Sequence, residues 1–198
     1  DGLNWNVAID GALLPDYPEN LAKTRPHYPV LMGDMLEDFA LFIPNVFTGE
    51  FYSDFTRFSQ GSYNDATSIK YQATAKNMSD IMISAFSDGT IPADDDHLGW
   101  ARLVSDIWTG FFFDAFMVRD VEWHKANGNK DIWLFTFMHR NKLGIPIEVE
   151  GWIPVGHCSE LPYLWFYPEV WDNASVVLTD FTVADHMGRI YTDFAING

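Results

Sequence analysis

Short apolar runs alternate along the chain with polar stretches rich in proline, glycine and aspartate, and the spacing within each run decides which element it predicts. YPVLMG (28–33) is a compact apolar run closed by Gly33 and reads as a fully buried strand. MLEDFALF directly after it has helix-forming composition. Upstream, Asp10-Gly11 and Pro15 mark turns, and Pro18 to Thr24 has room for one or two helical turns with proline early. From Asn77 to Phe86 polar and apolar residues recur at helical spacing, and SDGTIPADDDHLGW (87–100) carries turn chemistry. Leu103 to Lys125 predicts one long helix, with Ser105 or Asp106 as its cap and Asn127-Gly128 as its end. IWLFTFMHR (132–140) is thick with aromatic and apolar residues and reads as a central buried strand. A loop through Gly144, Pro146 and Pro154 leads to His157, and Ala174 to Ile196 is amphipathic and helical in pattern. The order strand, helices, strand, histidine loop, helix predicts an α/β sheet packed by helices, with functional groups on loops beyond strand ends.

Composition narrows this picture. The 198 residues are 47% hydrophobic and 16% aromatic, enough for one core, so residues 1–198 are read as a single region and disorder is excluded. Lys and Arg number 12 against 28 Asp and Glu, a net charge of −16, which argues against nucleic acid and anionic membranes as partners. A solvated acidic surface accounts for the charge, and a field that draws cationic ligands is the sharper alternative. Apolar patches such as IWTGFFFDAFMV (107–118) are too short for a membrane span. The opening DGLNWNVAIDG lacks the basic start and apolar stretch of a signal peptide, and a start without methionine suggests processing or a fragment. The single cysteine, Cys158, excludes a disulfide within the chain. Two sequons, Asn77-Met-Ser79 and Asn173-Ala-Ser175, permit N-glycosylation on the secretory route.

The candidate chemistry centres on GWIPVGHCSELPYLW (151–165), where His157 follows a glycine-led bend. An imidazole general base needs one nitrogen aimed at a nucleophile and the other fixed by a partner, commonly a carboxylate. Asp38, just beyond a strand end, is the acid candidate and Glu37 its rival; both also suit the start of a helix, where acids favour the positive dipole end. Cys158 and Ser159 are too close in sequence to His157 to align with it easily, and no serine lies in a Gly-x-Ser-x-Gly turn. Phosphate-binding, dinucleotide and zinc motifs are absent, so no cofactor and no metal is expected. Asp94-Asp95-Asp96 reads as a solvated loop and helix start. The histidines at 27, 97, 124, 139 and 186 lack ligand spacing and read as surface or core residues.

Three segments together resemble one family. AIDGALLPDYPENL followed by PVLMG resembles the "DG-x-x-x-P-x-x-P" stretch and acid-bearing strand of the type-B carboxylesterases, the group that includes the cholinesterases. GDMLEDFALF resembles their "G-x-x-x-D-E-G-x-x-F", and GWIPVGHCSELPYLW their "W-x-G-V-x-H-x-x-E-(I/L)-x-(Y/F)-x-F". The ending DHMGRIYTDFAING is similar to the family's last-domain helix. The resemblance implies the C-terminal part of an α/β-hydrolase fold. His157 then takes the place of the catalytic histidine and Asp38 that of the acid, normally glutamate, with Glu37 still possible; Trp152 and Glu160 fall on flanking structural positions. Two departures stand out: aspartate replaces glutamate with Phe39 in place of the following glycine, and the part that bears the nucleophile and oxyanion hole is absent. The implied function is a fragment of a serine esterase acting on a small-molecule ester, partnered by the missing N-terminal part of the same hydrolase and inactive alone. A non-catalytic cholinesterase-like adhesion or binding module is the alternative. The resemblance and the sequons lean towards secretion.

Overall fold

The computed structural model of the chain describes residues 8–45, 77, 80–140, 143, 151–172 and 176–198. Its sheet is a parallel pair, β1 (Val30–Met35) beside β2 (Ile132–Phe137), in register from Val30 against Ile132 to Met35 against Phe137. A parallel pair requires a crossover between its strands. Part of that crossover is α2 (His97–Thr109), a π-helical turn (Gly110–Asp114) and α3 (Ala115–Ala126). Ahead of β1 lie α1 (Pro18–Leu21) and a 3-10 turn (Ala22–Thr24), within the stretch expected to be helical. Beyond β2 come α4 (Leu161–Trp165), α5 (Pro168–Trp171) and α6 (Leu178–Asn197). The described residues thus form a mixed structure of helices with a small parallel sheet, compatible with part of an α/β fold.

Two apolar clusters hold it together. Trp100, Leu103, Val104, Ile107 and Trp108 recur at helical spacing on α2 and pack with Phe39, Ala40, Ile43 and Trp152. Met35, Phe137, Leu143, Val155, Tyr163, Trp171 and Met187 form the second cluster, beneath the strand ends. Each fully buried aliphatic side chain such as Ile107 contributes about 2 kcal/mol.

Several boundaries depart from expectation for identifiable reasons. β1 does not stop at Gly33. It runs on to Met35, because the glycine lets the strands approach: a Cβ there would lie 2.2 Å from the Phe135 ring. MLEDFALF becomes a 3-10 helix over Asp38–Asn45 instead of an α-helix. The Glu37 N–H donates to the Val155 carbonyl, that of Phe39 to Thr109 Oγ1 and that of Ala40 back to Glu37, so the first turn follows the tighter path. The long helix starts at His97, because the Asp96 side chain accepts the Gly99 N–H at 2.8 Å, a cap of about 1 kcal/mol; Ser105 and Asp106 lie in its interior. β2 is not the central buried strand its composition suggests, since Trp133 is 43% and Leu134 50% exposed, and it ends at Phe137.

Residue 77 and residues 80–86 are helical, and Asn77 is exposed. The rest of its sequon, the whole of Asn173-Ala-Ser175, and Gly144 and Pro146 lie outside the described residues. Among the described residues no helix is long and apolar enough to cross a membrane.

Candidate active site

The end of β1 and the turn after it carry three buried acids within five positions, Asp34, Glu37 and Asp38, and their partners distinguish them. Glu37 forms a two-pronged pair with Arg140, one contact Nη1 to Oε2 at 3.0 Å and the other Nη2 to Oε1. Its Oε2 also accepts the Val155 N–H at 2.7 Å, and Arg140 donates to the Ile153 carbonyl at 2.8 Å. One carboxylate therefore ties the end of β1 to the segment after β2 and to the approach of the histidine loop. Asp38 is turned the other way. Its Oδ2 accepts the Met35 N–H at 2.8 Å and its Oδ1 lies 2.8 Å from His157 Nδ1. The Asp38 carbonyl accepts the His157 N–H at 3.2 Å, so main chain and side chain locate the imidazole together. Of the two acids weighed for contact with the histidine, the structure joins Asp38 to it and gives Glu37 to Arg140.

His157 opens a turn over residues 157–160. Cys158 takes φ +66°, a left-handed conformation that costs a residue with a Cβ about 1 kcal/mol. Burial pushes the Cys158 thiol up, and Glu160 and Asp38 push it further, so the reactive thiolate is disfavoured. Ser159 is buried, and among the described residues no serine hydroxyl bonds to His157. The His157 side chain is 44% exposed against 4% for Asp38. An Nδ1–H donated to the buried carboxylate leaves Nε2 with its lone pair and with no hydrogen-bond partner among the described residues.

The imidazole lines a cleft of about 290 Å³ together with Asp34, Asp38, Phe112, Phe113 and Glu160. The Phe113 ring leans on it, centroids 5.3 Å apart. Phe112 and Phe113 reach the cleft from the π-helical turn, which adds a residue to a turn of the long helix; such bulges are frequent at functional sites. Burial raises the Glu160 carboxyl, and its Oε2 is buried without a partner among the described residues. Trp152, the other flanking position, is buried in the α2 cluster with the Arg102 guanidinium 6.0 Å from its ring centroid. Such a site can accept a proton at Nε2 and hold the resulting imidazolium against Asp38. Among the described residues no group of three or more His, Cys, Asp or Glu side chains is placed to hold a metal ion.

The other histidines lie elsewhere. His139 Nε2 meets Asp180 Oδ1 at 2.7 Å, His124 lies between Arg25 and Asn129, and His27 contacts the Asn127 carbonyl at 2.6 Å. Sequence reasoning did not single out Asp34, Arg140 or the phenylalanines of the π turn. Asp34 did leave a signal, a charged residue inside an otherwise apolar strand; the phenylalanines left none, because FFF reads equally well as core.

The geometry is that of an acid-held histidine at strand ends, and comparison with known proteins supplies its lineage. No curated protein matches the chain. The model of the carboxylesterase family matches residues 1–198, over which the Asp38–His157 pair and the loops that carry it are spread. The chain belongs to the carboxylesterase family.

Proposed function

We propose that this chain supplies the acid and histidine of a serine carboxylesterase, the C-terminal part of an α/β-hydrolase whose nucleophile and oxyanion hole lie on polypeptide outside these 198 residues. The observation that supports this most is the 2.8 Å contact of His157 Nδ1 with buried Asp38, on a ring that lines a cleft. In this reading a serine hydroxyl attacks the carbonyl of a small-molecule ester while His157 Nε2 takes its proton. Asp38 fixes the ring and stabilises the imidazolium. The proton then passes from Nε2 to the departing alkoxide, which leaves as the alcohol. Water repeats the sequence on the acyl-enzyme and releases the acid. Without the nucleophile and the oxyanion donors the chain alone has no route to the acyl intermediate and is inactive. Passage through the secretory route, with glycosylation at exposed Asn77, belongs to the same proposal and rests on the sequons.

Intact mass of the native source protein before and after a fluorophosphonate probe tests this. A polypeptide much heavier than 22.6 kDa that gains one adduct is expected. A heavier polypeptide that gains none would favour a binding module instead, and a native species of 22.6 kDa without an adduct would remove the esterase reading.

A further inference from the structure

The bonds that hold His157 in place begin well away from its ring. In the segment 153–157, which ends at the histidine, four backbone groups are bonded across to Glu37, Asp38 or Arg140. Two of these bonds are backbone to backbone: the Glu37 N–H donates to the Val155 carbonyl at 2.9 Å, and the His157 N–H to the Asp38 carbonyl at 3.2 Å. The other two come from one ion pair. Glu37 Oε2 accepts the Val155 N–H at 2.7 Å, and Arg140 Nη1 donates to the Ile153 carbonyl at 2.8 Å. The same Nη1 meets Glu37 Oε2 at 3.0 Å, and Nη2 meets Oε1.

Arginine suits this task by its shape. The planar guanidinium meets both Glu37 oxygens side by side and still reaches a third acceptor, a fixed geometry that the rotating ammonium of lysine lacks. The Glu37 side chain is 8% exposed, so removal of the guanidinium leaves a buried carboxylate without its paired cation. Such a group draws in water or turns out of its site, and either change loosens Val155. Val155 lies two residues before His157, and Glu37 directly precedes Asp38. The ion pair therefore grips both sides of the Asp38–His157 contact next to the residues that make it.

The pair stands clear of the chemistry. Arg140 is exposed and lines a cleft of about 510 Å³ with Glu37, Arg102, Asp106 and Trp152. His157 and Asp38 line a different cleft, and among the described residues no side chain lines both. We propose that Arg140, through Glu37, is a positioning residue that sets the histidine loop against Asp38; this deepens the esterase reading and rests on it. Arg140 touches no reacting atom. Its loss leaves Asp38 and His157 present and displaces one against the other, and a displacement of about 1 Å at a reacting group costs about 10²-fold in rate.

The test uses the full polypeptide that carries this chain, with Arg140→Lys, Arg140→Met and, as a control, Arg189→Met, which removes an exposed ion pair with Asp185 on α6. Each variant is measured well below its own melting temperature. In ester hydrolysis Arg140→Met should lower kcat by about 10²-fold and Arg140→Lys by about tenfold, each with KM within about twofold. Arg189→Met should match the unaltered protein. The downfield proton NMR signal of the His157 Nδ1–H on Asp38 should shift or broaden in both Arg140 variants and stay in place in the control. Unchanged kcat with an unmoved signal, even where Tm falls, makes Arg140 a stability residue alone; that overturns the proposal and leaves the esterase reading intact. A rise in KM at constant kcat overturns it, and so does a fall in kcat with the signal unmoved, because the loss then does not pass through His157. Should Arg140→Met fail to fold, Arg140→Lys, which keeps the charge, carries the same reading. A displaced signal in a polypeptide that hydrolyses no ester and gains no fluorophosphonate adduct would remove the esterase reading and leave the positioning of His157 standing.

Discussion

Among the described residues two aspartate–histidine pairs are of nearly equal length, and they sit in different surroundings. Asp38 meets His157 at 2.8 Å and Asp180 meets His139 at 2.7 Å, each with a buried carboxylate. At His157 the carboxylate takes Nδ1, the ring sits on a turn, and 44% of the side chain is exposed on a cleft. At His139 the carboxylate takes Nε2, and 21% of the side chain is exposed. Asp180 also accepts the Tyr163 hydroxyl at 2.9 Å and the Val177 N–H at 2.8 Å, so it joins the end of β2 and α4 to the start of α6. His139 stands edge-on to Phe137 and Tyr163. The difference teaches that contact with a carboxylate does not make a histidine a base. What matters is which nitrogen is spent and whether the other faces space that a reactant can occupy.

Paired substitutions sharpen the comparison. In the proposed esterase, Asp38→Asn and His157→Ala should each lower kcat by about 10³-fold or more, since the imidazole loses its orientation or disappears. His139→Ala and Asp180→Asn should leave kcat within about twofold. Steady-state kinetics on the four variants check this, and near-wild-type turnover in His157→Ala would erase the distinction. The stability ranking should invert: Asp180→Asn removes the charge and turns one of the two acceptor oxygens that serve His139, Tyr163 and Val177 into an NH2 donor, and it should cost about 2 kcal/mol in denaturant melts. Asp38→Asn should cost less, because the exposed imidazole can turn to water.

The pairs should also separate by pH. Burial pushes the Asp180 carboxyl up, but the Val177 N–H, His139 and Tyr163 outweigh it and hold it below the ordinary 3.8. Its contribution to stability is therefore complete above pH 3.8 and is lost as pH falls through the folded value; Asp180→Asn should flatten that acid loss in Tm. Asp114, beside the His157 pair, has the opposite sign. Raised to about 6, it costs stability as pH climbs from 3.8 through 6, so Asp114→Asn should raise Tm at pH 8 relative to pH 4. Equal shifts at both pH values would count against the raised carboxyl. The smallest effect is expected at Cys158: replacement by Gly should be neutral or stabilise by up to about 1 kcal/mol, with kcat unchanged.

Much of the fold was legible in the sequence where a residue type has one cheap solution. Pro18 announced a helix start, Asn127-Gly128 a helix end, and the apolar runs two strands. The boundaries that moved did so because a distant partner decided them. Gly33 continues a strand with Phe135 lying over it, and the turn at Asp38 closes in 3-10 fashion with the Ala40 N–H on the Glu37 carbonyl, while the Phe39 amide goes to Thr109, 70 residues further along. The contact of His157 with Asp38 rested on family resemblance, since a separation of 119 residues leaves no local trace. The split between Asp38 and Glu37 was invisible for the same reason: their neighbours in space, His157 and Arg140, are both remote in sequence.

The π-helical turn at Gly110–Asp114 has a consequence for how this family member can change. A turn closed from residue i to i+5 stores one more residue than its α-helical neighbours. Loss of one residue there can be absorbed by a return to an α-helical turn, while α2 keeps its tryptophans on the core and α3 keeps its contacts near Arg25. The wall opposite His157 is thus a place where the gene can be edited by a single codon without re-indexing the helix on either side, and a one-residue deletion would alter Phe112, Phe113 and Asp114 together.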